Sequence, residues 1–586
     1  MGPHARTRRL GIAAAVTTVA AAALSLGTAP AGQATGAVGF TAPVFVDQSR
    51  AGGEPGIIHS SKFGTLIYSA HEGTTHLDRV GVPSSSTAQF LCPDPAGRNC
   101  YENHVWVWTS TDDGATWTWR DEGPQYTGFS DPDLTEDAGG TIYDTGIDLA
   151  NDAVFSSSDG GVTWPNGTAQ CHEGDRPWLA GGVAGEVFMT TDEQTVDGHT
   201  LYHSSDSGNT CDSNFIHDNG TMPDGTTSWS GFGKGIYDRF DGSFIEPAQF
   251  TGKNLFKVGI SRLPNAADAF KGGGETFQPQ EVADTPGIYG PFGAPEVISM
   301  DSAQNIYFAW DTDERDSGGS GGCSDTTPNS GGGPTPLPNR ILLEVGKYVS
   351  PGKWNFLPPI SLAKQGNARV LWPWSVAGSD GNVSVVWYQM DKMVDPDCDI
   401  YNNQSVPDVK TFIYEAHISN ATDPATRQIT LSNASGRAIH EGGICDSGTT
   451  CVASGQDRRL GDYFTNNLDG RGCVVIASGD TTVPDAVTGQ PRITSLPIFI
   501  RQNSGPSLTG QDCGSTTAVT SSVSAASSTS SSSSSGSGGT APAKLPNTAA
   551  AAAGGRGAAG GALVALAGVT AVAAAARRRR RGGGPG

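Results

Sequence analysis

Ser110-Thr111-Asp112-Asp113-Gly114-Ala115-Thr116-Trp117, Ser157-Ser158-Asp159-Gly160-Gly161-Val162-Thr163-Trp164 and Ser204-Ser205-Asp206-Ser207-Gly208-Asn209-Thr210-Cys211 are three copies of one pattern, S-x-D-x-G-x-T-[W/C]. Each copy begins 47 residues after the one before. Three copies in register mark a repeated structural unit. A strand-like run precedes each: Val105-Trp106-Val107-Trp108, Ala153-Val154-Phe155 and Leu201-Tyr202. The pattern therefore falls on a hairpin turn. Its residues are turn residues. Asp112, Asp159 and Asp206 can accept backbone N–H groups, and the glycines permit positive φ where the chain reverses. Cys211 stands where the other copies have Trp, a position where a disulfide can hold the turn.

This pattern resembles the Asp-box, or BNR repeat, of sialidase-like β-propellers. The resemblance implies an all-β fold, with the boxes on the outer rim and the ligand site elsewhere. It speaks for a fold and not for an activity.

Moving outward, inner-strand starts recur along the chain, often carrying a proline. They are Glu54–Ile58, Asp131–Leu134, Asp175–Leu179, Phe244–Pro247, Ala294–Ile298, Leu371–Ser375 and Leu460–Phe464. Six are followed by a clear second strand, such as Ile306–Trp310 or Val383–Tyr388, and the fourth unit is degenerate. The reading is a seven-bladed propeller over 38–510, with six blades as the alternative. The 80 glycines and the 16% of charged residues suit many turns and short strands. No long helical periodicity argues for an α/β enzyme.

The ends carry targeting patterns. Residues 1–37 read as a signal peptide: Arg6, Arg8 and Arg9, an apolar run from Leu10 to Leu26, then small residues. Residues 511–544, rich in Ser, Thr and Gly, read as a disordered stalk. Leu545-Pro546-Asn547-Thr548-Ala549, an apolar segment at 557–576 and a basic tail at 577–586 follow in that order. Together they resemble the L-P-x-T-G cell-wall sorting signal of Gram-positive bacteria, with Ala at the fifth place. The resemblance implies a sortase-like transpeptidase acting after Thr548, with Leu545 and Pro546 in the recognised motif. A plain C-terminal transmembrane helix is the alternative. Either way the propeller is expected outside the cell, at the surface.

The net charge is −22. The nine arginines of the signal and of the segment after Thr548 come with no acids, so their removal lowers the charge by nine, to −31. So acidic a chain is not built to bind nucleic acid. Ten cysteines in an exported chain suggest disulfides, with neighbour pairing (92–100, 171–211, 323–398, 445–451, 473–513) the simplest arrangement.

The sialidase resemblance implies an aromatic-Arg-Ile-Pro motif in the first blade, three arginines on a substrate carboxylate, an Asp acid/base and a Tyr–Glu pair. Glu54-Pro55-Gly56-Ile57-Ile58 stands where that motif should be. The family's site residues are therefore not carried over by motif. Candidates come instead from inner-strand positions, which face the channel. Asp131, Asp462, Tyr463 and Glu296 are the catalytic candidates, and Arg176, Arg369 and Arg459 the ligand-binding ones; ion pairs that plug the channel are the competing reading. His71 and His76, in a Gly/Thr stretch, read as a solvated loop, and Asp311–Asp316 as a solvated acidic loop. No cofactor and no metal is expected.

Two functions stay open. One is a surface-anchored, sialidase-like glycoside hydrolase acting on an extracellular glycan or glycoprotein. The other is a non-catalytic propeller that binds glycan or protein.

Overall fold

The computed structural model describes residues 37–514 except 74–75, 78–101, 103, 121–127, 129, 149–150, 170, 172–173, 193–198, 219–228, 231–232, 251–256, 285–288, 292–296, 314–339, 365–368, 393–407, 446–450, 452–455, 486–488 and 490. The signal, stalk, pentapeptide, apolar segment and basic tail read from the sequence thus lie outside the described residues, apart from a few residues at the inner edges of the signal and stalk. So do Glu296, Cys92, Cys100, Cys323 and Cys398. Among the described residues no helix is long and apolar enough to cross a membrane.

Seven antiparallel sheets follow one another along the chain among the described residues, each built about its central second and third strands. The inner strands are Gly56–Ser60, Ser130–Glu136, Asp175–Gly181, Ile236–Asp238, Val297–Met300, Val370–Ala377 and Thr465–Leu468, which open blades one to seven. The molecule is an all-β, seven-bladed propeller. Ring closure joins the two ends of this array. Val44–Phe45 and Gly39–Phe40 pair with Leu496–Ser504, so N-terminal strands complete blade seven. Two inner strands differ from the sequence reading. In blade four Phe244–Pro247 belongs to the second strand, Ser243–Phe250, and the inner strand is Ile236–Asp238. In blade seven Leu460–Phe464 is the approach to the inner strand rather than the strand itself.

Second strands are buried on both faces because each blade is covered by its neighbours. All eight residues of Val383–Met390 are buried. The outermost strand of the same blade, Gln428–Asn433, is mostly exposed.

Two kinds of aspartate turn lock the blades. The repeated S-x-D-x-G-x-T segments join third to fourth strands in blades one, two and three. In each, the carboxylate takes the same bonds: Asp159 accepts Ser157 Oγ at 2.8 Å, Thr163 N at 2.9 Å and Thr163 Oγ1 at 2.6 Å. Asp112 and Asp206 repeat this with Thr116 and Thr210. Gly114, at φ +82°, lies so close to Phe499 of blade seven that a Cβ would fall 2.1 Å from the ring. The second turn joins first to second strands. Asp137 accepts Gly139 N, Thr141 N and Tyr143 Oη, and also Gly185 N of the next blade at 2.7 Å. Asp301 does the same with Ala303 N, Asn305 N and Tyr307 Oη, and with Gly381 N of blade six. The shared signal, D-x-x-x-x-I-Y, stands in the sequence at Asp137–Tyr143 and Asp301–Tyr307.

Disulfides join Cys171 to Cys211, Cys445 to Cys451 and Cys473 to Cys513, three of the five pairs expected. The first does bind the third repeated turn covalently.

Candidate functional site at the channel mouth

The site is made by a backbone irregularity that recurs. Glu54, Asp131, Arg176 and Trp372 all have positive φ, between 46° and 57°, and each is followed by proline. A non-glycine residue in this region is strained, and the residue before proline is normally extended. The ladder explains why the strain is held in the sheet. Proline has no N–H to give, so the pairing skips it as a bulge: register shifts lie between Ser130 and Asp133, between Asp175 and Trp178, and between Leu371 and Trp374. A bulge re-aims a side chain. In blades two and three the residue so placed is charged, Asp131 and Arg176, and in blade one the charged Glu54 holds the same strained conformation just before the inner strand.

These charges meet the segment that leads into blade seven. Asp462 Oδ2 accepts Arg458 Nη2 at 2.6 Å and faces Arg176 Nη2 at 3.9 Å. The Asp462 amide donates to Glu54 Oε1 at 2.9 Å, and Arg458 Nη2 lies 3.5 Å from the same oxygen. Ser130 Oγ donates toward Asp131 Oδ1 at 2.6 Å and lies 3.3 Å from Glu54 Oε2. His76 Nε2 is 2.9 Å from Glu54 Oε2. Gly461, at φ +74°, permits this packing, since a Cβ there would fall 2.2 Å from Glu54 Cγ. Glu54 and His76 are fully buried, while Arg176 keeps about a quarter of its side chain exposed and marks the open side.

The electrostatics follow from burial and crowding. Burial, with Asp462 adding to it against the pull of Arg458, raises Glu54 to about 7. Burial and then the Glu54 charge raise Asp131 to about 8. Burial and Asp131 raise Asp175 to about 6. Asp462 goes the other way: burial pushes it up, but Arg458 and Arg176 hold it below the usual carboxylate range. Carboxyls of opposite tendency thus stand side by side, the pattern that separates a proton donor from an ionised partner.

Beneath the charges the channel is filled. Trp178 of blade three, Trp374 of blade six and Tyr463 converge, with ring centroids 5.0 Å (Trp178–Tyr463), 5.6 Å (Trp178–Trp374) and 5.8 Å (Trp374–Tyr463) apart. Tyr463 is buried and donates its hydroxyl to the Pro132 carbonyl at 2.7 Å.

The structure therefore brings Asp131, Asp462 and Arg176 of the sequence candidates into one cluster. Arg459 turns aside: its Nε and Nη2 bind Asp457 at 3.0 and 2.6 Å, and its Nη1 donates to the Arg492 carbonyl. Arg369 is buried at the start of blade six. Arg458, which the sequence reading passed over, does what was expected of its neighbour; one residue of register on a segment without strand alternation decides which arginine points in. His71 and His76 are not solvated. Both are fully buried and stacked, centroids 3.9 Å apart. Burial first, then neighbouring positive charge, holds both well below the usual histidine range. Asp311 is likewise buried, near the Trp372 amide, because Ile306–Asp313 continues as strand through it. Although no metal was expected, Glu54, His76 and Asp131 each offer a ligand atom, all within 4.8 Å of one another.

No protein-family model and no curated protein matches this chain. Solved structures do. A protein of unknown function from Dyadobacter fermentans is similar over 60% of this chain and 94% of its own, at 16% identity and a TM-score of 0.35. The α-L-arabinofuranosidase of Fusarium graminearum in complex with arabinobiose covers 79% of this chain and 96% of its own, at 12% identity and a TM-score of 0.35. The intramolecular trans-sialidase from Ruminococcus gnavus covers 80% and 96%, at 11% identity and a TM-score of 0.33. The propeller thus has structural neighbours among sialidases and other glycoside hydrolases.

Proposed function

We propose that this chain is an exported propeller that acts on extracellular glycans, as a glycoside hydrolase working at the channel mouth. The observation that carries the reading is the convergence of Glu54, Asp131 and Arg176, at strained starts of the inner strands of blades one to three, on Asp462 in the segment that leads into blade seven, with Arg176 on the open side. Strain held by a proline bulge is of the kind found at functional sites. Most glycoside hydrolases use two carboxyl groups, one to protonate the leaving oxygen and one to stabilise the ring cation or assist water. Asp131 and Asp462 are assigned to this pair. Arg176 is assigned to hydrogen bonds with the sugar. Arg458, held against Asp462, positions that carboxylate. Tyr463 supports the mouth from below through Pro132. A sialidase specificity belongs to this proposal only through the Asp-box resemblance, since both arginines that reach the cluster are engaged by Asp462.

A non-catalytic, glycan-binding propeller is the second reading, favoured by the aromatic rings that converge beneath the charged cluster. One experiment tests both: turnover of a panel of fluorogenic glycosides, including a sialoside, beside glycan-array binding. Hydrolysis that falls by about 10²–10⁴-fold in Asp462→Asn supports the enzyme. Arg176→Ala weakens glycan binding by about 1.5–3 kcal/mol in either reading. Binding without turnover selects the second reading, and neither activity defeats both.

The export reading draws on the N-terminal signal pattern and is in keeping with the disulfides. Attachment to the wall or membrane through residues 545–586 is part of the same proposal.

A further inference from the structure

We propose that Glu54, His76 and Asp131 form a binding site for one divalent transition-metal ion at the channel mouth. The inference does not rest on the glycan reading.

The donors come from three separate stretches of chain: the approach to blade one, the loop after its second strand, and the bulge that opens blade two. Their ligand atoms nonetheless lie within 4.8 Å of one another. Donors bound tetrahedrally to one ion at about 2.1 Å lie about 3.4 Å apart, so the widest pair has to close by at most about 1.4 Å. One imidazole with two carboxylates is a borderline-to-hard donor set that suits Zn²⁺ or Mn²⁺, and three protein ligands leave room for water or a ligand.

The surroundings orient these donors. Glu54 Oε1 is engaged by the Asp462 amide, which leaves Oε2 on the side of His76. Ser130 Oγ holds Asp131 Oδ1. Such outer contacts are what fix metal ligands. Two buried groups add to the argument. His71, stacked on His76, is fully buried and neither ring nitrogen has a hydrogen-bond partner among the described residues. Asp462 Oδ1 is buried and lacks such a partner too.

Charge points the same way. Glu54, Asp131, Asp175 and Asp462 face Arg176 and Arg458, and all six interact electrostatically. The carboxyls outnumber the arginines by two, an environment that favours a bound cation over an anion. Uncompensated buried charge is costly. Arg458 is the opposing influence, 3.5 Å from Glu54, but its closest partner is Asp462 at 2.6 Å. If the glycan reading also holds, the loaded chain is the less active form, because Asp131 cannot hold the ion and a transferable proton together.

The test is titration of the untagged, chelator-treated full chain with Zn²⁺ alone, followed by calorimetry and elemental analysis. One ion per chain is expected. Glu54→Gln, His76→Ala and Asp131→Asn should each weaken binding at least tenfold, while Asp112→Asn on a rim turn should leave it unchanged. Because a buried substitution can disturb folding, X-ray absorption on the loaded wild type gives a second reading, with one imidazole nitrogen and carboxylate oxygens at about 2.0–2.2 Å. No bound Zn²⁺, wild-type affinity in all three variants, or a coordination shell without imidazole would overturn the proposal.

Discussion

Asp301, in the first turn of blade five, accepts the amide N–H of Gly381 in blade six at 2.8 Å. The same carboxylate accepts Ala303 N, Asn305 N, Asn305 Nδ2 and Tyr307 Oη. It is buried, so its removal leaves several donors unsatisfied. Asp301→Ala should destabilise the propeller by about 3 kcal/mol, the scale of a buried hydrogen-bond network, as read by denaturant unfolding. A loss below about 1 kcal/mol would mean that the blades are held by packing alone.

The rim turns make stability fall in acid. Burial tends to raise Asp159, but hydrogen bonds from Thr163 and Ser157 outweigh it and hold the carboxyl below its usual 3.8. Asp112 and Asp206 are lowered in the same way by Thr116 and Thr210. A depressed carboxylate contributes stability above its unfolded pKa and loses it as pH falls through the folded one. Asp159→Ala should cost about 1–3 kcal/mol at neutral pH. The gap between variant and wild type should narrow below pH 3.8. A gap that is independent of pH would remove the ionised turn from the account.

Glu246 has the opposite sign. Burial raises it to about 8, with His199 Nδ1 3.3 Å away and Asp218 as a further hydrogen-bonding neighbour. The folded state therefore keeps a proton that the unfolded state loses. This contribution is complete below the ordinary value of 4.5 and is lost as pH rises towards 8. Glu246→Gln cannot lose that proton. Melting curves from pH 5 to pH 9 should show the variant gaining on the wild type as pH rises, and parallel curves would place the carboxyl outside the titration.

The Cys171–Cys211 bridge spans 40 residues. Closing such a loop restricts the unfolded chain by about 3–4 kcal/mol. Replacing both cysteines with alanine should lower stability by that amount, while the other repeated turns keep their hydrogen bonds. Unchanged unfolding would show that the third turn does not need a covalent tie.

Deleting residues 545–586 should release the protein into the medium. Thr548→Ala should abolish wall linkage yet leave membrane association in place. Identical fractionation of full-length and truncated chains would exclude an anchor in this segment.

The architecture was legible because a β-propeller writes itself locally. The interval between repeated turns, the proline-bearing strand starts and the apolar stretches of most second strands are all properties of neighbouring residues. Blade number followed from counting them. Blade four was misplaced because Phe244-Ile245-Glu246-Pro247 looks like an inner strand, while the true one, Ile236–Asp238, is too short to show a period. The site was legible only in part. Asp131 and Arg176 announce themselves beside Pro132 and Pro177, where the bulge turns them inward. Arg458 and Arg459 are adjacent and chemically identical, and only Asp457, Asp462 and Glu54, brought together from opposite ends of the chain, decide which faces the cluster. His71 and His76 sit in a polar stretch that sequence reads as solvated; closure of the ring buries them against Glu54. What neighbours in sequence determine is the repeated unit. What closure of the ring decides is which charges from distant blades share one desolvated space, because burial and proximity, not residue type, set their chemistry.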